Sequence, residues 1–463
     1  MLIGFSVSNF KSFLTQQSVS FLASRISRHK NHIEEIANKK VLKSGLIFGA
    51  NAGGKSNLIE AVAFSRRVIL HGLNRTDTNK KYFRVKQDAY KNPGVFEFRL
   101  IANETEYSYG FAFSYTSKEF ISEWLVKISS NGETVLYERS VDENGVSCVS
   151  SDIIDKEDNP NDSISVRLKV YFEDFGNGIS DALKKKSILS DIAQRSNSQN
   201  GVFKDILDVF QWFNNLIVIF PDSKFSDLEG IMDDDKIKFF FSKVLSSFDT
   251  GIEAIDTKFL EFDLDKLLVD IPKDQAEQIK IDIANKTNNN SVALTVNDQI
   301  FLLKQNENGE IVYRKMLLDH GNKNDLFEYS DESDGTQRLF DLIPIYLAQK
   351  QNRVIMIDEI DRSLHTNLTR KFLEMFFAVA KDNESQLIAT THDSNLLDLD
   401  LLRQDEIWFV ERKPDHSSYI YSLNKFKERF DKKIEKDYLI GRYGAIPVFE
   451  NSDCFEDVID DEQ

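Results

Sequence analysis

Eight residues, Gly49-Ala50-Asn51-Ala52-Gly53-Gly54-Lys55-Ser56, constrain this chain more than any others, because they match the pattern G-x-x-x-x-G-K-[ST]. That pattern works only between a strand and a helix, and both are legible. Gly45 to Phe48 is a short apolar run suited to a buried strand, and from Asn57 to Leu70 apolar residues return at helical spacing, at Leu58, Ala61, Val62, Val68 and Ile69. Glycines let backbone amides turn toward a polyphosphate, and the following helix N-terminus adds partial positive charge. Gly49, Asn51, Gly53, Gly54, Lys55, Ser56 and Asn57 are therefore the candidate nucleotide-binding residues. Lys55 would neutralise β- and γ-phosphates, and the Ser56 hydroxyl would ligate Mg²⁺. The plainer reading is a glycine-rich turn carrying a surface lysine, and context has to decide between the two.

A chain of 463 residues with 41% hydrophobic content can bury a large core in two to four lobes. Its formal charge of −17 and pI near 5.0 argue against a protein whose whole surface is a footprint for nucleic acid, though not against a local basic groove. Cys148 and Cys454 are the only cysteines, which excludes a disulfide framework or a thiolate metal cluster. No apolar run has the length of a membrane span, and the start, MLIGFSVSNFKSF, lacks the features of a signal peptide, so the expected location is the cytosol with no membrane partner.

Four segments are expected along the chain. The first, 1–220, opens with a hairpin in which Ile3, Phe5 and Val7 share one face, then carries the glycine loop. It continues with a long alternation, Phe96, Phe98, Leu100 and then Tyr107, Tyr109, Phe111, Phe113, Tyr115, which predicts an antiparallel meander reaching about residue 172. Such an aromatic stripe fits the core of a half-buried sheet better than a base-stacking platform. Helical spacing follows through Ile188 to Gln194 and Phe203 to Phe213. The second segment, 221–295, reads as a compact helical insertion without sustained heptads. The third, 296–413, carries further motifs, and 414–463 forms a C-terminal segment ending in an acidic tail. Asn322-Lys323-Asn324-Asp325 matches N-K-x-D, but its polar loop is the wrong context for reading guanine.

Val354 to Ile357 followed by Asp358-Glu359 is an apolar strand ending in two carboxylates. With a phosphate loop upstream, Asp358 can hold Mg²⁺ through water, and Glu359 is placed to orient and deprotonate an attacking water. Ser330 to Phe340, SDESDGTQRLF, offers a small residue, a glycine and helix N-terminal amides, a second place for an anion; alone it would be an ordinary helix cap. Gln386 to Thr391 forms another strand that runs into His392.

The order of these motifs, with Asn9-Phe10-Lys11-Ser12-Phe13 ahead of the glycine loop, resembles the ATPase heads of RecF, SMC and related ABC-type proteins. E-S-D-G-T-Q-R and the ending Tyr438 to Pro447, YLIGRYGAIP, resemble OLD-like AAA ATPases of bacterial phage defence, of the PARIS AriA or AbiL/RloA type. The resemblance implies an α/β fold: a two-lobed ABC-type head with an antiparallel β subdomain and a helical insertion. It implies that Lys11 and Ser12 approach the nucleotide, whereas by sequence alone Lys11 reads as a solvated charge. It implies that Gln194, one of several glutamines available, coordinates Mg²⁺; the residues alone read it as a polar side chain on an exposed helix end. Ser333 and Gly335 would complete the nucleotide site of a neighbouring protomer, Asp361 would couple paired sites, and His392 would touch the γ-phosphate, while His365 reads as structural.

The expected activity is hydrolysis of ATP with Mg²⁺, with Glu359, Lys55 and His392 as the catalytic residues. Partners implied are further copies of the chain, as a homodimer or higher oligomer through shared ATP sites, and a separate toxic effector, a Toprim-like nuclease, with a phage-derived trigger protein. No nuclease constellation is evident, and the stretch after Glu411 is too short for a fused Toprim domain. The alternative is a RecF/SMC-like DNA-repair ATPase that binds duplex DNA.

Overall fold

The computed structural model describes residues 1–156, 163–176, 179–196, 201–222, 234–260, 273, 276–277, 292–296, 299–305, 311–426, 428–429 and 432–446. The acidic tail, Pro447 and the polar run 285–291 lie outside them. Two units divide the chain: Met1–Val218 with Asn352–Ile360 and Phe377–Gln463, and Ile219–Gln351 with Asp361–Phe376.

In the first unit a six-stranded sheet runs in the order Ile217–Ile219, Val354–Ile357, Gln386–Thr390, Ser44–Phe48, Ile407–Arg412, Ser418–Ser422. The four strands from Val354–Ile357 to Ile407–Arg412 are parallel, and Ser418–Ser422 returns antiparallel. Ser44–Phe48 is buried at all five positions, as a central strand covered on both faces must be. Parallel neighbours bring their C-terminal ends to one edge, which is where such sheets bind ligands.

The same unit holds a seven-stranded antiparallel sheet, ordered Ser147–Ser150, Gly132–Val141, Phe120–Ser129, Thr105–Phe113, Gly94–Ala102, Leu2–Ser8, Gln17–Ser20. Its aromatic stripe is core. Phe96, Phe98, Tyr109, Phe111 and Phe113 are all buried, and Phe64 of the Lys55–His71 helix packs its ring against Phe10, Phe96 and Phe113. The phosphate-loop helix thus rests on this sheet through its apolar face.

The meander stops earlier than its alternation predicts. It ends at Ser150, and Ser163–Asp174 is a helix although Ile164, Val166, Leu168, Val170 and Phe172 alternate as a strand would. Burial explains the choice: Leu168 and Phe172, four apart, face the core, whereas Val166 and Val170 are 47% and 56% exposed.

The second unit also departs from expectation. The insertion is not purely helical, because after the Asp235–Ser247 helix comes a strand, Ala254–Leu260. That strand pairs with Ile311–Asp319 in a five-stranded antiparallel sheet with Gln299–Gln305 and Val292–Val296, and Phe327–Glu328 adds to the other side of Ile311–Asp319. A strand whose partner lies more than fifty residues away leaves little local signal. The N-K-x-D match falls in an exposed turn of this unit.

Candidate functional site

Glycine is required in the loop by close approach. A Cβ on Gly49 would stand 2.3 Å from the Val410 carbonyl oxygen, and one on Gly54, at φ +111°, would stand 2.2 Å from Ser418 Oγ. The strands bearing Val410 and Ser418 therefore wall the loop from behind and leave its front open. That front is a polar cleft of about 360 Å³ lined by residues 50–57 with Glu359 and His392.

Lys55 is buried at the start of its helix, and its ammonium donates to the carbonyls of Gly49 at 2.7 Å and Ala50 at 3.1 Å. It also lies 3.2 Å from His392 Nδ1, and His392 Nε2 is 3.7 Å from Glu359 Oε1. Lys55, His392 and Glu359 thus form a row across the cleft, each from the C-terminal end of a different parallel strand or the loop that follows it.

Asp358 is buried and Glu359 half-buried, and both are tied to a residue that the motif pattern does not announce. Thr390, fully buried at the end of the adjoining strand, donates its hydroxyl to Asp358 Oδ1 at 2.6 Å and accepts the Glu359 N–H at 2.8 Å. Its carbonyl accepts the Ile360 N–H at 3.0 Å. Glu359 sits at φ +51°, a left-handed conformation that a non-glycine residue holds only when its surroundings enforce it. The signal for Thr390 in the sequence is its place two residues before His392 on a buried strand.

Lys11 and Ser12 both reach this unit's site region. The Lys11 ammonium contacts Glu60, which also pairs with Lys81 at 2.6 Å. Burial, and then the neighbouring Lys81, push Lys11 down to about 8, while Asp358 pulls it up. Ser12 Oγ accepts from Asn57 Nδ2 at 2.7 Å. Lys11 is thus an ion-paired, half-buried lysine and not the solvated charge that its polar turn suggests.

Gln194 is not brought to the cleft. It lies exposed on the Ile188–Arg195 helix, where its Nε2 donates to Ser190 Oγ, and Ser187 and Ser190 donate to the carbonyls of Ile69 and Leu70. Those carbonyls are at the far end of the Lys55–His71 helix, roughly 20 Å from Ser56 at 1.5 Å per residue. A side chain anchored there cannot share a metal with the Ser56 hydroxyl. Sequence position alone misplaced it, because the helix bearing it packs on the wrong end of the phosphate-loop helix.

Ser333 and Gly335 belong to the second unit. Ser333 caps the Asp334–Leu342 helix, accepting the Thr336 N–H at 3.2 Å, and a Cβ on Gly335 would stand 2.8 Å from the Ser363 carbonyl oxygen. The anion-binding possibility and the ordinary cap are the same geometry here. Asp361 lies two residues before that contact, and His365 Nδ1 accepts the Asn367 N–H at 3.2 Å, a structural role.

The residues fit a magnesium nucleotide. Ser56 and Asp358 would hold the metal together with phosphate and water oxygens, the pattern usual for Mg²⁺; among the described residues no three His, Cys, Asp or Glu side chains converge as a metal cage. Among the described residues no helix is long and apolar enough to cross a membrane.

A family model described as "AAA domain, putative AbiEii toxin, Type IV TA system" matches residues 46–157 and 181–398, well over half of the chain. No curated protein matches at a significant level. Among solved structures, the SmcHead bound to the C-winged helix domain of ScpA is 15% identical, covering 92% of this chain and 99% of that one at a TM-score of 0.37. The SMC head domain from Thermotoga maritima is 12% identical, covering 91% and 98% at a TM-score of 0.32.

Proposed function

We propose that this chain, which belongs to the AAA-domain family of the AbiEii toxin and type IV TA systems, hydrolyses ATP to ADP and phosphate and uses the cycle to control a separate toxic effector in anti-phage defence. The observation that carries the ATPase reading is the row Lys55, His392, Glu359 across one polar cleft, with Asp358 held beside it by Thr390. Lys55 would exchange its loop carbonyls for β- and γ-phosphate oxygens. Glu359 would orient a water and take its proton as the new bond to the γ-phosphorus forms and the bond to the bridging oxygen of ADP breaks. His392 would hydrogen-bond the γ-phosphate. Ser56 and Asp358 would hold Mg²⁺, which supplies neutralisation of phosphate charge when bound.

Ser333 and Gly335 would complete the site of another copy, which makes ATP a bridge between protomers and favours whichever assembly binds it more tightly. A toxic effector, a nuclease of Toprim-like fold, would be held or released by that assembly on a phage-derived trigger. The family's link to abortive-infection and toxin–antitoxin systems supports this reading. The test is phage challenge of cells expressing the chain with its neighbouring gene. Protection should vanish with Lys55→Ala and with Glu359→Gln, and protection that survives both would overturn the proposal.

A further inference from the structure

We propose that Ser418 and Ser12 are positioning residues of the phosphate loop, closing a hydrogen-bonded clasp that aims the Gly54 N–H at the phosphates of the nucleotide. The proposal rests on the reading of that loop as an ATP site. Ser418 Oγ lies 2.6 Å from the Gly53 carbonyl oxygen and 2.7 Å from Ser12 Oγ, and Ser12 Oγ lies 2.7 Å from Asn57 Nδ2. The Ser418 N–H also donates to the Ser12 carbonyl at 2.8 Å.

Proton counting orders the clasp. Each hydroxyl has one hydrogen to give, and the Gly53 carbonyl can only accept, so Ser418 donates there. Its hydroxyl also points to Ser12 Oγ, so the one hydrogen is shared between the Gly53 carbonyl oxygen and Ser12, and Ser12 accepts from the Asn57 amide as well. The result is a connected network in which Ser418 bridges the Gly53 carbonyl to Ser12, and Ser12 is held in turn by the Asn57 amide. It runs from the Gly53 carbonyl of the loop to Asn57 in the first turn of the Lys55–His71 helix that follows.

The consequence follows from the planarity of the peptide. The carbonyl of Gly53 and the N–H of Gly54 point to opposite sides of one trans peptide plane. Holding the carbonyl against Ser418 turns the N–H away from Ser418, and Gly54 lines the cleft whereas Ser418 does not. Backbone N–H groups aimed in this way are what a phosphate cradle consists of. Gly54 in turn leaves the room: a Cβ there would come within 2.2 Å of Ser418 Oγ and 2.7 Å of Ser12 Oγ. Ser418 is 2% exposed, so water cannot replace it without movement of the hairpin.

The test is calorimetric titration of the full chain with MgATP and MgADP, together with steady-state hydrolysis and thermal unfolding of the nucleotide-free protein. Ser418→Ala and Ser12→Ala should each weaken both nucleotides by about 3- to 10-fold, the worth of one net hydrogen bond. KM should rise by the same factor while kcat stays within about 2-fold, as for loss of uniform binding. The double variant should lose little more than Ser418→Ala alone, because Ser12 acts on the Gly53 carbonyl only through Ser418. Wild-type affinity and KM in both variants, with only the melting temperature lowered, would reduce the clasp to a structural role and overturn the proposal. If Ser418→Ala does not fold, Ser12→Ala decides alone. Wild-type protein that binds neither nucleotide would instead sink the reading of the loop itself, and the clasp with it.

Discussion

The Thr390 hydroxyl donates to Asp358 at 2.6 Å while accepting the Glu359 N–H at 2.8 Å, so one side chain locks two consecutive carboxylate residues of the candidate site. Thr390→Val keeps the shape and removes the hydroxyl. It removes the donor to Asp358 Oδ1 and the acceptor of the Glu359 N–H and should cost about 1–3 kcal/mol in stability. Urea unfolding measures that cost. ATP hydrolysis should fall roughly 10-fold or more, since a misplacement of about 1 Å is felt strongly in positioned catalysis.

Glu359→Gln keeps the length of the side chain and removes the base. Hydrolysis should drop by roughly 10²- to 10⁴-fold while ATP binding persists. Radiolabelled ATP retained on the variant, compared with its turnover, separates the two effects. Equal loss of binding would place Glu359 in the cradle and not in the proton transfer.

Gly335 meets the Ser363 backbone where a Cβ would stand at 2.8 Å, so Gly335→Ala must push the Asp334–Leu342 helix off the segment after Asp361. If Ser333 and Gly335 serve another copy, ATP affinity of the isolated protomer should stay within about 2-fold of wild type while hydrolysis falls roughly 10-fold or more. Ultracentrifugation with and without ATP should show weakened nucleotide-dependent association.

Lys11, brought down to about 8 by burial and by Lys81, loses its proton in the folded protein before it does in the unfolded chain, where an ordinary lysine titrates near 10.5. Between those values the unfolded state binds more protons, so this residue adds stability as pH rises from about 8 toward 10. Unfolding free energies at pH 7.5 and 9.5 should rise more steeply in wild type than in Lys11→Met. Parallel slopes would show that Lys11 keeps an ordinary proton affinity in its contact with Glu60.

The glycine loop, the strand before it, the helix after it and the carboxylate pair at Asp358-Glu359 could all be read in the sequence, because each is a local pattern whose chemistry dictates its spacing. The aromatic stripe was legible for the same reason: alternation at Phe96, Phe98, Tyr109 and Phe111 reflects a sheet buried on one face. What depends on chain segments far apart could not be read. Ser163–Asp174 alternates like a strand and became a helix because its neighbours cover Leu168 and Phe172. Gln194 stands at a plausible distance along the chain but its helix docks at the Ile69 and Leu70 end of the phosphate-loop helix. The pairing of Ala254–Leu260 with Ile311–Asp319, the hold of Thr390 on Asp358 and the reach of Ser418 across 365 positions to Gly53 exist only after the strands assemble. Sequence determined which groups this chain has for phosphate chemistry; tertiary structure decided which of them share a cleft, because parallel pairing brings strand ends together regardless of how far apart they lie along the chain.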